Sequence, residues 1–285
     1  MRDYLNRMFD LNDPRLASAW DELPFWSAPF GMLMMERVRM SPRMKALDIG
    51  CGAGFPLLEL AQRLGDSSRL YGIDPWKRGV ERLNSKREVF ELENVNVVQG
   101  VAERLPFKAD FFDLIVSNNG LNNVQDQGLA LAECFRTLRR GGQFIITYNL
   151  PGTMKEFYEV FAKTLNEFGR KEWTVLMQGH ILDKRKPLSL MKKMLAETGF
   201  RIVEVRKRSF PIRYLDGSAM LHSFFIVHGF LDPWKKIVGR KNLAKFFGLL
   251  EKNLNRAARA KGGLLLTIPM ACLDCVKDSF SPSRR

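Results

Sequence analysis

The sequence has 285 residues, of which 46% are hydrophobic and 27% are charged, which excludes a disordered chain and allows one large domain or one domain with an insertion. The net charge of +14 is uneven, since residues 1–150 carry 19 basic and 19 acidic side chains whereas residues 151–285 carry 26 and 12. This asymmetry favours an anionic partner for the second part (a membrane, a nucleic acid or an acidic substrate), although a solvated basic face explains it equally well.

Residues 1–44 are predicted to form an N-terminal helical cap rich in aromatic residues and methionine. A helix is expected over Pro14–Leu23, with Asp13 as its N-cap and Pro14 at its first position. A second, short helix is expected over Met32–Val38.

Between residues 45 and 150, short apolar segments alternate with helical ones, which is typical of βαβ units that form a parallel sheet with helices on both faces. The predicted strands are Lys45–Ile49, Leu70–Asp74, Asn96–Gln99, Asp113–Ser117 and Gln143–Asn149. The predicted helices are Phe55–Leu64, Arg78–Leu92 and Gln127–Leu138.

After Asn149 the order changes. Helices are predicted over Met154–Phe168 and Leu188–Thr198, and strands over Arg201–Lys207 and Leu264–Cys275. Between these strands we expect a helical lid insertion, residues 209–263, with residues 45–208 and 264–285 forming the core. The insertion contains an apolar segment, Met220–Phe230, and a basic amphipathic helix, Lys241–Lys261.

The first strand leads into a glycine-rich segment, Asp48-Ile49-Gly50-Cys51-Gly52-Ala53-Gly54. Small residues there let a ligand approach the backbone, and the start of the next helix adds free N–H donors. The glycines follow a G-x-G-x-G pattern rather than the G-x-G-x-x-G of nicotinamide enzymes, and the loop has no Lys or Arg to meet a pyrophosphate.

Asp74 ends the next strand, 24 residues after Gly50. A carboxylate at this position can accept hydrogen bonds from both hydroxyls of a ribose. It can also act as an N-cap for the following helix, and the two roles are compatible.

These segments together resemble class I S-adenosylmethionine-dependent methyltransferases, in the type 11 or quinone-biosynthesis group. Three further segments carry the resemblance: Val101–Phe107 is similar to the stretch lining the adenine, Phe112–Asn118 to the fourth-strand motif and Leu138–Gln143 to the Gly-Gly turn before the fifth strand. The resemblance implies a Rossmann-like three-layer α/β sandwich with a mostly parallel seven-stranded sheet. It also implies S-adenosylmethionine as cofactor, bound by Asp48, Gly50, Cys51, Gly52, Gly54, Asp74, Pro75, Trp76, Ala102, Glu103 and Asn118.

The sequence departs from the family at two places. Relatives often carry Asp where this chain has Val101, so Glu103 or the backbone near Ala102 is expected to meet the adenine amino group. Relatives also often carry His near Asn122. In relatives, residues before the first strand often cover the methionine end of the cofactor, and Trp26, Ser27 and Phe30 are candidates for that role here, although a simple packing segment explains them equally well.

The acceptor site is expected just beyond the carboxyl end of the fourth strand, where open α/β sheets bind ligands. Asn119 and Asn122 are candidates for orienting a polar acceptor group, although turn chemistry also explains asparagines there. His222, in the insertion, is a candidate base, although a packed or exposed histidine explains it as well. The apolar residues of the insertion could wall a greasy acceptor, and its basic helix could rest on an anionic membrane.

Three functions remain open. The first is methyl transfer to a small, lipophilic or anionic molecule. The second is methylation of RNA or another nucleic acid, which the basic second part favours but for which no Asn-Pro-Pro-Tyr motif or separate RNA-binding module is present. The third is a non-catalytic protein that binds S-adenosylmethionine. The sequence does not indicate the oligomeric state.

The four cysteines are too few for a disulfide scaffold and are expected to be free thiols. Cys272 and Cys275 have the spacing of a metal or redox pair, but they fall on a predicted strand without a second ligand pair, so no metal is expected. The charged N-terminus is unlike a secretory signal, and the longest uncharged, mostly apolar run, Gly217–Leu231, is 15 residues long. Because about 20 residues are needed to span a bilayer, we expect a cytoplasmic protein.

Overall fold

The computed structural model describes residues 3–23 and 25–278. Its central element is a seven-stranded sheet, as the sequence predicts. The strands, numbered along the chain, are β1 (Lys45–Ile49), β2 (Arg69–Asp74), β3 (Val95–Gln99), β4 (Phe112–Asn118), β5 (Leu138–Asn149), β6 (Phe200–Tyr214) and β7 (Leu264–Lys277). Their order across the sheet is β3-β2-β1-β4-β5-β7-β6. Strands β1 to β5 pair in parallel, and β7 is antiparallel to β5, so the sheet is mostly parallel.

Strand order reverses at β1, because the chain runs outward to β2 and β3 and then returns to β4 on the other side. β1 and β4 are buried along nearly their whole length, since helices cover both faces of the sheet. A crevice forms outside the carboxyl ends of the strands at such a reversal, and ligands bind there in open α/β sheets. We therefore expect a ligand to contact the residues that follow β1, β2 and β4.

The helices in chain order are α1 (Pro14–Asp21), α2 (Ser27–Met35), α3 (Leu57–Leu64), α4 (Lys77–Val89), α5 (Gln127–Thr137), α6 (Lys155–Glu167), α7 (Thr174–Lys184), α8 (Leu188–Thr198), α9 (Gly217–His222), α10 (Phe224–Gly229), α11 (Leu231–Val238) and α12 (Leu243–Lys261). Asp13 caps α1 as predicted, with its side chain accepting a hydrogen bond from the Arg15 N–H. Within the described residues, no helix combines the length and the apolar character needed to cross a bilayer.

Several boundaries differ from the predicted ones. Helix α2 begins at Ser27 instead of Met32, because Pro29 lies in the first helical turn, where its missing N–H leaves no bond unmade. Helix α3 begins at Leu57, after Pro56. Strand β5 begins at Leu138, so the predicted Gly-Gly turn is part of an irregular strand whose register shifts against β4. Helix α7 was missed, since it exposes Val175, Leu176 and Leu182 and so blurs the amphipathic pattern.

The chain forms two compact units. The sheet unit comprises residues 10–149, 187–208 and 270–278, and contains β1 to β5 with the adjoining parts of β6 and β7. The helical unit comprises residues 3–9, 150–186 and 209–269, so it includes α6 and α7 as well as the predicted insertion. Aromatic side chains form the core of the helical unit: Trp234 stacks on Phe157 with ring centroids 4.0 Å apart, and Phe246 packs against Phe161 at 5.0 Å.

Candidate functional site

A crevice of about 680 Å³ lies in the sheet unit, at the carboxyl ends of β1, β2 and β4. This volume falls within the range of small-molecule sites. Its lining comes from the α1–α2 segment, the ends of three strands and the loops after β3 and β4: Trp20, Trp26, Ser27, Ile49, Gly50, Ile73, Asp74, Pro75, Gly100, Val101, Ala102, Glu103, Asn118, Asn119, Gly120, Asn123, Val124, Gln125, Asp126 and Leu129.

The ends of β1 and β4 meet backbone to backbone at the crevice. Gly50 has a positive φ of 76°, and a Cβ added to it would lie 2.7 Å from the Gly120 Cα. A Cβ on Gly120 would overlap the Ile49 carbonyl oxygen. The Ser117 hydroxyl donates to that same oxygen at 3.0 Å and fixes the contact. The cofactor contact expected at Gly50 stays a prediction, whereas the need for glycine at both position 50 and position 120 is seen only when the two strand ends are placed side by side.

Asp74 joins the end of β2 to the glycine-rich loop. Its Oδ2 accepts the Gly52 N–H at 2.9 Å, and its Oδ1 accepts the Trp76 N–H at 2.8 Å. Burial raises the pKa of Asp74, and the two N–H donors oppose that rise. Each carboxylate oxygen keeps a second lone pair, so the group can still accept hydrogen bonds from ligand hydroxyls in the crevice.

Other predicted cofactor residues shape the turn and do not line the crevice. Asp48 is fully buried, and its pKa is raised to about 8 because burial and the nearby Asp74 charge disfavour the ionised form, against a weaker opposing effect of the Leu57 N–H. Cys51 is a buried thiol whose pKa burial also raises. The Trp76 indole N–H donates to the Leu11 carbonyl at 2.9 Å and so anchors the N-terminal segment. Gly52 and Gly54, both with positive φ, also belong to the turn.

Glu103 lines the crevice, but one of its oxygens has a structural partner. Oε1 accepts the backbone N–H groups of Gln125 and Asp126 at 2.7 and 3.1 Å. These bonds tie the loop after β3, which carries Ala102, to the loop after β4. The second oxygen, Oε2, is the atom of Glu103 that remains for the predicted contact with an adenine. That contact stays a prediction.

Asn118 holds the N-terminal segment against the end of β4. Its Nδ2 donates to the Ser27 carbonyl at 3.1 Å, and its Oδ1 accepts the Thr147 hydroxyl at 2.7 Å. Ser27 and Trp26 therefore form part of the crevice wall, as the sequence predicted for a covering segment. Phe30, the third candidate, is buried behind them, with its ring 5.7 Å from that of Trp26.

Three asparagine amides meet at the ends of β4 and β5. The Asn122 Nδ2 donates to the Oδ1 atoms of Asn119 and Asn149 at 3.2 and 3.1 Å. Asn119 has left-handed backbone with φ 62°, so it serves the turn, yet its side chain also lines the crevice. The Asn119 Nδ2 atom is buried and has no hydrogen-bond partner within residues 3–23 and 25–278. The Asn119 amide therefore keeps a hydrogen-bond donor that no described residue satisfies.

The histidines lie in the helical unit and do not line this crevice. His222 is exposed, its Nδ1 lies 2.8 Å from the Ser218 carbonyl oxygen, and its ring packs edge-on to Tyr4. His228 packs between Phe9 and Phe224, and burial lowers its pKa. The apolar character of Met220–Phe230 thus reflects packing within short helices, and the role of His222 as a base stays a prediction.

Cys272 and Cys275 are buried free thiols. Three residues apart on β7, their side chains leave opposite faces of the strand, so the sequence spacing does not bring the sulfurs together. Burial raises the pKa of both, that of Cys272 to about 12. Among the residues with described positions, no group of three or more His, Cys, Asp or Glu side chains is arranged to hold a metal ion.

Comparison with known proteins gives consistent matches. Residues 40–193 match the family described as "Methyltransferase domain". Demethylmenaquinone methyltransferase of Staphylococcus aureus (strain JH9) is 32% identical over 193 residues, which cover 62% of this chain and 74% of the relative. The Staphylococcus saprophyticus enzyme of the same name is 28% identical over 204 residues, covering 66% of this chain and 81% of the relative.

Solved structures match the fold. The YcgJ protein from Bacillus subtilis superposes with a TM-score of 0.58 at 19% identity, covering 89% of this chain and all of that one. A SAM-dependent methyltransferase from Aquifex aeolicus gives a TM-score of 0.52 at 18% identity, covering 68% of this chain and 91% of that one. At these identities the likeness extends to the architecture of the sheet and its helices.

Proposed function

Because the chain belongs to the class I S-adenosylmethionine-dependent methyltransferases, we propose that it methylates a small lipophilic acceptor and binds its cofactor in the crevice at the ends of β1, β2 and β4. The observation that carries the acceptor class is the similarity to enzymes named for demethylmenaquinone, since an acceptor of the quinone type is small and lipophilic. A cytoplasmic location is part of the same proposal.

Each wall of the crevice has a role in this proposal. Asp74 accepts the ribose hydroxyls while its two backbone bonds hold it in place. The backbone at Gly50, which lines the crevice, receives the methionine end. Ala102 and Glu103 face the adenine, and Trp26 and Ser27 cover the ligand. Asp48, Cys51, Gly52, Gly54 and Trp76 act indirectly, by setting the shape of the turn.

S-adenosylmethionine supplies an activated methyl group on a sulfonium, so the chain has mainly to position the acceptor for in-line attack. The Asn119 Nδ2 is the donor we assign to a polar group of the acceptor, because it is buried at the crevice without a partner. Asn122 is a positioning residue, since its amide orients both Asn119 and Asn149. The lid role expected for residues 209–263 stays a prediction.

The proposal is tested by radiolabelled methyl transfer from S-adenosylmethionine to a water-soluble short-chain quinol. We expect turnover by the wild type, and a loss of about tenfold to a hundredfold in kcat/KM for Asn119→Ala, the range for one hydrogen bond to a buried polar group. Asn123→Ala is the matched control, because that asparagine also lines the crevice but is exposed, and within the described residues its amide bonds only the Asn119 carbonyl, at 3.5 Å.

Methyl transfer to RNA without transfer to the quinol would replace the proposed acceptor class. Binding of S-adenosylmethionine without transfer to the quinol or to RNA would contradict the assigned acceptor as well. Equal kcat/KM values for Asn119→Ala and the wild type would remove Asn119 from the acceptor site.

A further inference from the structure

Helix α12 of the helical unit has two opposite faces. One is buried in the core of the unit and consists of Phe246, Phe247, Leu250, Leu254 and Ala258. The other carries Lys245, Lys252, Arg256 and Arg259, all exposed. These four residues follow one another at intervals of seven, four and three, so at 3.6 residues per turn they fall within an arc of about 60°. We name them the cationic stripe.

The cationic stripe points away from the core. On a helical projection its centre lies about 180° from the centre of the buried face. From Lys245 to Arg259 it extends over about 21 Å at 1.5 Å per residue. Lys241, exposed in the 3-10 turn Arg240–Asn242 just before α12, continues the run of positive charge toward the start of the helix.

The cations of the stripe are uncompensated within the described residues. No ion pair or hydrogen bond joins any of the four to a carboxylate, whereas surface cations elsewhere, such as Arg63 with Glu59, pair with acids on their own helix. Glu251, the one acid on α12, lies off the stripe and accepts a hydrogen bond from the Ser218 hydroxyl at 2.7 Å. From Leu231 to Lys261 the sequence contains nine basic and two acidic residues. Mutual repulsion of these charges makes a polyanionic partner favourable.

We propose that the cationic stripe docks the helical unit on a membrane surface rich in anionic phospholipid. A straight row of cations on a rigid helix matches a plane of lipid phosphates, and each Lys or Arg adds to the attraction near such a surface. This inference rests on the proposed function in one respect, since a lipophilic acceptor partitions into the bilayer. The enzyme would then meet its acceptor at the surface where that molecule is concentrated.

Two observations favour a membrane over a nucleic acid. The stripe contains no aromatic side chain between its cations, although stacking on bases commonly accompanies basic patches that bind single strands. In the same unit, α7 exposes Val175, Leu176 and Leu182, with Lys171 before the helix and Lys184 at its end. Exposed apolar residues flanked by lysine suit the boundary between headgroups and acyl chains.

The test is co-sedimentation of the full chain with vesicles. Vesicles of phosphatidylcholine mixed with phosphatidylglycerol are compared with vesicles of phosphatidylcholine alone. We expect the wild type to bind the mixed vesicles, and added salt to weaken the binding by screening. The charge-reversal variant Lys252→Glu/Arg256→Glu should lower the partition coefficient at least about tenfold. The control Lys163→Glu/Lys192→Glu makes the same change in net charge at exposed lysines of α6 and α8, which have no acidic partner among the described residues, and should bind like the wild type.

Folding and function are checked in the same proteins. Lys252→Gln/Arg256→Gln, which removes charge and keeps helix propensity, should also bind the mixed vesicles more weakly than the wild type. All variants should keep wild-type affinity for S-adenosylmethionine and wild-type turnover of a water-soluble quinol. If the wild type neither bound S-adenosylmethionine nor turned over the quinol, the proposed function would be refuted. Vesicle binding is a separate measurement that tests only the membrane proposal.

Three results would overturn the proposal. One is equal binding of the wild type to both kinds of vesicle. Another is equal partition of the charge-reversal variant and the control. The third is tight binding of polyuridylate that the charge reversal abolishes while vesicle binding persists, because the stripe would then be a nucleic-acid surface.

Discussion

The side chain of Asp74 has two roles. It stabilises the glycine-rich loop through the Gly52 N–H, and it presents a partly buried carboxylate to the crevice. Its position at the end of β2 was predictable, because an acid at the end of the second strand is part of the local pattern. The bond to Gly52 was not, since it depends on how the loop after β1 folds back.

Asp74→Asn should weaken binding of S-adenosylmethionine by about tenfold to a hundredfold, because an amide replaces one charged acceptor by a donor. Isothermal titration with the cofactor measures this. Asp66→Asn is the matched control, since Asp66 is exposed and remote from the crevice lining. Equal affinities for Asp74→Asn and Asp66→Asn in folded protein would exclude Asp74 from the site.

Asp48 should make stability depend on pH. Its pKa is raised to about 8 in the folded state, against about 3.9 in the unfolded chain. The folded state therefore holds a proton that the unfolded state has lost between these values. The stabilising contribution of this group is complete below about pH 4 and is lost as the pH rises to about 8.

Urea denaturation of the wild type and Asp48→Asn measures that contribution. The free energy of unfolding of the wild type, relative to that of the variant, should fall as the pH rises from about 5 to about 8, by at most about 1.4 kcal/mol per pH unit. Parallel pH profiles for the two proteins would show that Asp48 does not titrate in this way.

Features that depend on contacts between different secondary-structure elements could not be predicted from the sequence. The pattern of apolar residues was enough to place all seven strands, but it did not predict their order across the sheet. Gly120, Trp20 and the asparagine cluster depend on contacts between segments far apart in the chain. The Asn122 side chain, for example, bonds Asn149 on the next strand.

Gly120→Ala tests the contact between the ends of β1 and β4. The added methyl would overlap the Ile49 carbonyl oxygen, so the strand ends must separate. We expect a loss of about 1–3 kcal/mol in the free energy of unfolding, as for other overpacked sites, together with weaker cofactor binding. Gly179→Ala, on α7 with open space around its Cα, is the control and should be neutral or stabilising. Equal stability of Gly120→Ala and the wild type would contradict the close contact.

At the scale of the whole molecule, charge and function are divided along the chain. The sheet unit contains the crevice and most of the residues that match the methyltransferase family, whereas the helical unit contains α12 and its cationic stripe. The charge asymmetry between residues 1–150 and 151–285 was readable from composition. The helical spacing of apolar and basic residues also predicted the basic amphipathic helix Lys241–Lys261, whereas the lack of acidic partners along the cationic stripe, within the described residues, is known only from the structure.

The central claim is that the crevice at the ends of β1, β2 and β4 is the S-adenosylmethionine site. A crystal structure of the full chain with S-adenosylhomocysteine tests it most directly. We expect both ribose hydroxyls to donate to the Asp74 carboxylate, the amino-acid end to lie against the backbone of Gly50, and the sulfur to lie on the side of Asn119. A ligand bound elsewhere, or in this crevice with its ribose away from Asp74, would refute the proposed cofactor site.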